Sequence, residues 1–208
     1  MRLFDSSIPS GNAYKVHLLL QQLGHRYETV ELDILATPSE TRRPEFLAKN
    51  PNGRIPVLEL DDGSYLPESN AILFYLADGT RYLPDDRRAR AEVLQWMFFE
   101  QYSHEPFVAT LKFWTYWGDL SKQTESQIAR WKQGGEAAIA TMGQHLATRD
   151  FFVGGRYSIA DVALFAYTQS AAVLGFHVPG TVERWLDRVR SEPGWVPMKA
   201  YPTGKSPG

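Results

Sequence analysis

Between residues 12 and 23 the apolar positions Val16, Leu19, Leu20 and Leu23 fall at helical spacing, and Gly24 closes the run. Leu3-Phe4 before it reads as a short strand, joined to the helix by the turn-rich loop Asp5 to Gly11. Tyr27 to Leu32 alternates apolar and polar residues, the period of a half-buried strand. A second helix is predicted around Thr41 to Lys49. Val57 to Leu60 and Tyr65-Leu66 flank the turn Asp61-Asp62-Gly63-Ser64, which predicts a hairpin. A further helix opens near Ser69, with Ala71, Ile72, Phe74, Tyr75 and Leu76 as its apolar pattern.

The predicted order is β-α-β-α-β-β-α, which fits a thioredoxin-like sheet over residues 1–78. Residues 79–86, with Gly79, Pro84, Asp85 and Asp86, read as a linker. Beyond it the texture becomes helical through Arg87–Trp117, Thr124–Thr148, Ile159–Leu174 and Val182–Ser191. All the tryptophans (Trp96, Trp114, Trp117, Trp131, Trp185, Trp195) lie on this side, which predicts a separate all-helical domain over 87–200 with its own core. The polar tail 201–208 is expected to be loosely ordered. Ser158 and Asp161 form a capping pair, and Tyr157 and Val162 are spaced as a hydrophobic staple.

Composition narrows the function classes. The chain has 208 residues, 43% hydrophobic and 22% charged, with 22 Lys+Arg against 24 Asp+Glu. A net charge of -2 argues against nucleic acid as a generic partner. The N-terminus carries no apolar signal core, and the longest apolar stretch, Ile159 to Phe176, is broken by Asp161, Thr168, Gln169 and Ser170. The expectation is a cytoplasmic protein without a membrane span. There is no cysteine, so thiol chemistry must arrive with a ligand, and thiolate metal sites are excluded. No histidine pair stands at metal spacing, so no metal is expected; His104 beside Glu105 reads as a solvated or interface residue.

Two runs carry the candidate chemistry. In Asn50-Pro51-Asn52-Gly53-Arg54-Ile55-Pro56-Val57-Leu58 a proline stands where a strand begins, although proline removes a ladder donor. In Leu66-Pro67-Glu68-Ser69-Asn70 an acid and a hydroxyl open a helix, whose unpaired N–H groups can hold a carboxylate.

With these runs and the capped Ser158 helix in one order, essentially residues 1–200 resemble a cytosolic glutathione S-transferase, serine-type as in the theta class or nu-like. The resemblance implies a thioredoxin-like domain that binds glutathione, a helical domain that shapes a second-substrate pocket, and a homodimer. Pro56 then resembles the family's cis-proline, with the Ile55 backbone pairing to the cysteinyl peptide like an added strand. Glu68 resembles the residue that meets the γ-glutamyl ammonium, Ser69 the one that holds the γ-glutamyl carboxylate, and Arg54 a contact for the glycine carboxylate. Ser10 falls where serine-type members place a catalytic hydroxyl, and Asn12 where the nu class has a functional asparagine; both remain open as the thiol contact. Tyr14 lies too deep in the helix for that role and is expected to pack. Tyr102, Phe107 and Trp114 are candidate walls of the second-substrate pocket, and Glu100 and Gln101 are candidates for reaching the partner subunit's glutathione.

The implied activity is conjugation of glutathione to small apolar electrophiles. A free thiol has a pKa of about 8.5, so a mostly ionised thiol at neutral pH needs a drop of roughly 2 units, about 2.7 kcal/mol. One charge-assisted hydrogen bond supplies about 1.5–3 kcal/mol, and a helix N-terminus adds about 0.3–1 kcal/mol. Glutathione as co-substrate thus suffices without a metal. The alternatives are a nu-like glutathione-dependent disulfide reductase or peroxidase, and a non-catalytic glutathione-binding carrier or interaction module.

Overall fold

The computed structural model describes residues 1–202. The chain divides into two compact units. Met1–Asp78 with Pro193–Ala200 form the first, and Gly79–Glu192 with residues 201–202 form the second. The tail expected to be loose falls outside the described residues from 203 onward.

In the first unit β1 (Arg2–Ser6), α1 (Gly11–Gln22), β2 (Glu28–Leu32), α2 (Pro44–Leu47), β3 (Val57–Glu59), β4 (Tyr65–Pro67) and α3 (Ser69–Ala77) follow in order. The four-stranded sheet has the order β2-β1-β3-β4, with β1 parallel to β2 and antiparallel to β3, and β3 antiparallel to β4. This is the thioredoxin-like arrangement that the hydrophobic pattern predicts. β1 is central, so it is covered on both faces: Leu3, Val16, Leu19, Leu20, Leu58, Ile72 and Leu73 are fully buried, while Phe4 and Val57 pack with Phe46 of α2. The helix expected over 41–49 is shorter, a 3-10 turn at Glu40–Arg42 followed by α2. Pro44 explains the break, because it lacks a donor and holds Arg43 in an extended conformation, φ -69, ψ 145.

The last segment of this unit, 193–200, runs along α1 rather than with the helices that precede it in sequence. Trp195 therefore belongs to the first unit, unlike the other tryptophans. Gly194, at φ +77, lies where an added Cβ would meet Gln22 Cα at 3.0 Å, so the close approach needs glycine. The Tyr14 hydroxyl donates to the Val196 carbonyl at 2.7 Å, and Lys199 pairs with Glu31 and Asp5.

The second unit contains α4 (Arg87–Phe99), α5 (Glu105–Tyr116), α6 (Glu125–His145), α7 (Ile159–Thr168) and α8 (Gly180–Arg190). The single helix expected over 87–117 is interrupted by a π-helical turn at Glu100–His104. Pro106 lies at the start of α5 and cannot donate to the preceding turn. α7 is buried along its whole length. At its start the predicted capping box is present, with Asp161 accepting from the Ser158 N–H and hydroxyl. Asp161 also accepts from the Phe152 N–H and from Trp185 Nε1. Burial pushes its carboxyl up to about 6 against these hydrogen bonds, which pull the other way. Among the described residues no helix is long and apolar enough to cross a membrane.

Candidate functional site

The site residues of the first unit gather around the start of α1. Ser10 is its N-cap, extended at φ -104, ψ 124, and its hydroxyl accepts from the Ala13 N–H at 3.3 Å. Capping takes up the acceptor side of the hydroxyl, while its proton can still be donated. Asn12, two residues into the helix, reaches across to α3. Its Oδ1 accepts from Ser69 Oγ at 3.1 Å and from Lys15 Nζ at 2.8 Å. Residues far apart in sequence are thereby brought into direct contact.

Glu68 and Ser69 open α3 as expected, with Ser69 buried and Glu68 exposed. Glu68 has φ 72, ψ 112, and among the described residues it is the one non-glycine with positive φ. Such a conformation costs about 1–3 kcal/mol and concentrates at functional positions. Ile55–Pro56 is a cis peptide bond, as is Thr37–Pro38, which no sequence signal predicts. Pro56 is buried, and Ile55 lies just before the paired residues of β3. The turn that leads into it is braced by Asn50, which donates to the Arg54 carbonyl at 2.8 Å and accepts from the Asn52 N–H at 3.0 Å. At Gly53, φ +61, an added Cβ would meet the Arg42 guanidinium at 2.7 Å. The side chain of Arg54 is exposed.

Beside Ser10 a cavity of about 230 Å³ lies between α1 and the 193–200 segment. Ser10, Tyr14, His17 and Gln21 line it from successive turns of α1, with Asp5 and Met198 among the facing residues. Sequence reasoning missed Asp5 and His17, although the spacing of Ser10, Tyr14 and His17 places them on one helix face. The His17 ring is held on both sides, with Nε2 3.0 Å from Asp5 Oδ2 and Nδ1 2.8 Å from the Tyr27 hydroxyl. Neither nitrogen is turned to Ser10, so the three residues do not form a nucleophile-base-acid relay.

In the second unit the aromatic candidates lie apart from one another in character. Tyr102 is 85% exposed on the π-helical turn. Phe107 covers Gly134 of α6, and Trp114 folds over Gly118. Two expectations are corrected here. His104 is not solvated but fully buried, with Nε2 3.0 Å from the Thr168 hydroxyl. Glu100 is also fully buried in its own unit, so it does not stand ready for a partner's ligand, whereas Gln101 is exposed. Both buried residues continue the inner face that the buried Val93, Trp96 and Met97 of α4 begin; their polarity, not their spacing, suggests the surface. Lys112 is buried as well, its Nζ 5.1 Å from the Tyr167 ring centre and 4.7 Å from that of Tyr201. Burial lowers its pKa to about 7 against the attraction of Glu105. Among the described residues no cluster of three His, Asp or Glu is arranged to hold a metal ion.

Comparison with known proteins assigns both halves. Residues 2–78 match the family model for the glutathione S-transferase N-terminal domain, and residues 125–202 match that for the C-terminal domain. A crystal structure described as a possible glutathione S-transferase from Rhodopseudomonas palustris is 46% identical, with a TM-score of 0.88 covering 94% of this chain and 96% of that one. A glutathione transferase from Burkholderia graminis, solved with two glutathione molecules bound per subunit, is 29% identical, with a TM-score of 0.77 over 93% of this chain and 84% of that one. Among curated proteins the disulfide-bond oxidoreductase YfcG of Escherichia coli K12 is 29% identical over 197 residues, 89% of this chain and 88% of that protein. Elongation factor 1-gamma of Danio rerio is 34% identical over 154 residues, 73% of this chain, which spans only 34% of that protein's length. With its thioredoxin-like and helical units and matches to both domain models, the chain belongs to the glutathione S-transferase family.

Proposed function

We propose that the protein binds glutathione in its first unit, ionises the thiol at the start of α1, and transfers it to a small apolar electrophile. The observation that carries this reading is the Asn12–Ser69 hydrogen bond, which couples the thiol end of the site to the γ-glutamyl end. The Ile55 backbone pairs with the cysteinyl peptide, the Ser69 N–H holds the γ-glutamyl carboxylate, Glu68 meets the ammonium, and Arg54 meets the glycine carboxylate. Ser10 and Asn12 supply the donors at the sulfur, with the N-terminus of α1 adding its partial positive charge. With a halogenated nitroaromatic the thiolate forms a C–S bond as the C–halogen bond breaks, halide leaves, and the thiol proton passes to water. No metal takes part. The protein acts in the cytoplasm. It does so as a homodimer, which the exposure of Phe98 and Tyr102, 69% and 85% in the single chain, supports. Tyr102 then belongs to the dimer contact, leaving Phe107 and Trp114 as proposed walls for the electrophile.

Asn12, the residue of nu-like members, favours a second reading as a disulfide reductase or peroxidase. The similarity to a disulfide-bond oxidoreductase supports it too. Elongation factor 1-gamma supports a different class, an interaction module without turnover. Turnover of a halogenated nitroaromatic and of a small disulfide on one preparation decides among them. Conjugation supports the first reading, disulfide reduction alone the second, and glutathione binding without either reaction the third.

A further inference from the structure

Lysine is rarely fully buried, and Lys15 on α1 is 0% exposed. Its Nζ donates to Asn12 Oδ1, three residues earlier, at 2.8 Å. The same oxygen accepts the Ser69 hydroxyl at 3.1 Å. Two consequences follow from the donor and acceptor inventory. An amide has its oxygen and its NH2 on opposite sides, so holding Oδ1 between Lys15 and Ser69 turns the NH2 away from both. The Ser69 hydroxyl, having its one proton directed at Asn12, presents only lone pairs to anything else at the start of α3.

We infer that Lys15 is a positioning residue of the glutathione site: by holding the Asn12 amide oxygen, it makes Asn12 a donor toward the sulfur and Ser69 Oγ an acceptor toward the γ-glutamyl ammonium. The inference rests on the glutathione reading given above and adds to it a division of labour. Ser69 grips the γ-glutamyl carboxylate through its backbone N–H and never through its hydroxyl. The thiol end and the γ-glutamyl end respond to one buried side chain that touches neither. A lysine kept only to fill α1's inner face would not be coupled to the ligand in this way.

The test is a titration of the bound glutathione thiol, followed by thiolate absorbance, in the full-length protein and in the Lys15→Met, Asn12→Ala and double variants. Lys15→Met is expected to raise the bound thiol's pKa by roughly one unit, a tenfold loss of thiolate near neutral pH. In the Lys15→Met background Asn12→Ala should add less than it does alone, since only Ser69 is left to orient the amide. Asn12→Asp is the second variant. It keeps an acceptor for Lys15 and Ser69, and so should fold, but it removes the donating NH2; here the thiol pKa is expected to rise at least as far. An unchanged thiol pKa in Lys15→Met or in Asn12→Asp would overturn the inference while leaving glutathione binding intact. Additive effects in the double variant would also overturn it. Failure of the unmodified protein to bind glutathione would overturn the functional reading itself, and the inference with it.

Discussion

The Tyr14 hydroxyl donates to the backbone carbonyl of Val196 at 2.7 Å, tying α1 to a segment that lies 182 residues further along the chain. Removing that donor leaves a partly buried carbonyl to find water. Tyr14→Phe is expected to cost about 0.5–1.5 kcal/mol of stability in urea unfolding. It should also speed proteolytic cleavage within 193–200 ahead of the rest of the first unit. Equal cleavage rates in the two proteins would contradict the tether.

Asp161 organises the start of α7, where it accepts from Ser158, Phe152 and Trp185. Asp161→Ala strands all of these buried donors, and a loss of about 3–5 kcal/mol is expected. Ser158→Ala removes the capping hydroxyl and should cost about 1 kcal/mol. Urea unfolding measures both, and a smaller effect for Asp161→Ala than for Ser158→Ala would contradict the arrangement.

Much of this was legible in the sequence, and the parts that were not share a cause. Period and turn chemistry identify α1, the β3–β4 hairpin and the α7 cap, because each rests on residues a few positions apart. The π-helical turn is different. It carries Glu100 and His104 on the inner face that Val93, Trp96 and Met97 begin, and their polarity rather than their spacing argues for the surface. The 193–200 segment is equally hidden, since its packing on α1 depends on Gly194, Val196 and Lys199 meeting residues from the other end of the chain. The Asn12–Ser69 link escaped for the same reason, although each residue was identified separately.

Glu68 combines a strained backbone with a proposed ligand contact, so the two contributions can be separated. Glu68→Gly relieves the positive φ and is expected to stabilise the protein by up to about 1 kcal/mol. It should at the same time weaken glutathione binding roughly tenfold through loss of the carboxylate. Calorimetric binding and thermal unfolding on the same sample check both signs, and unchanged affinity would remove Glu68 from the site.

Lys112 provides a pH dependence with a definite sign. Its folded pKa of about 7 lies below the unfolded value of about 10.4, so between these the unfolded chain binds more protons. Its destabilising effect is therefore fully present below about pH 7 and relieved progressively toward pH 10. The unfolding free energy of the second unit should rise across that window from this group, and Lys112→Met should flatten the rise. An equal slope in the variant would show that Lys112 is charged in the fold throughout.

Ionisation of the glutathione thiol at the start of α1 leaves a spectroscopic signature. Titrating the thiolate absorbance of glutathione bound to the unmodified protein tests it most directly. The expected midpoint lies about 2 units below the free value of about 8.5, from a donated hydrogen bond and the helix N-terminus together. A bound thiol that titrates at its free value would contradict it.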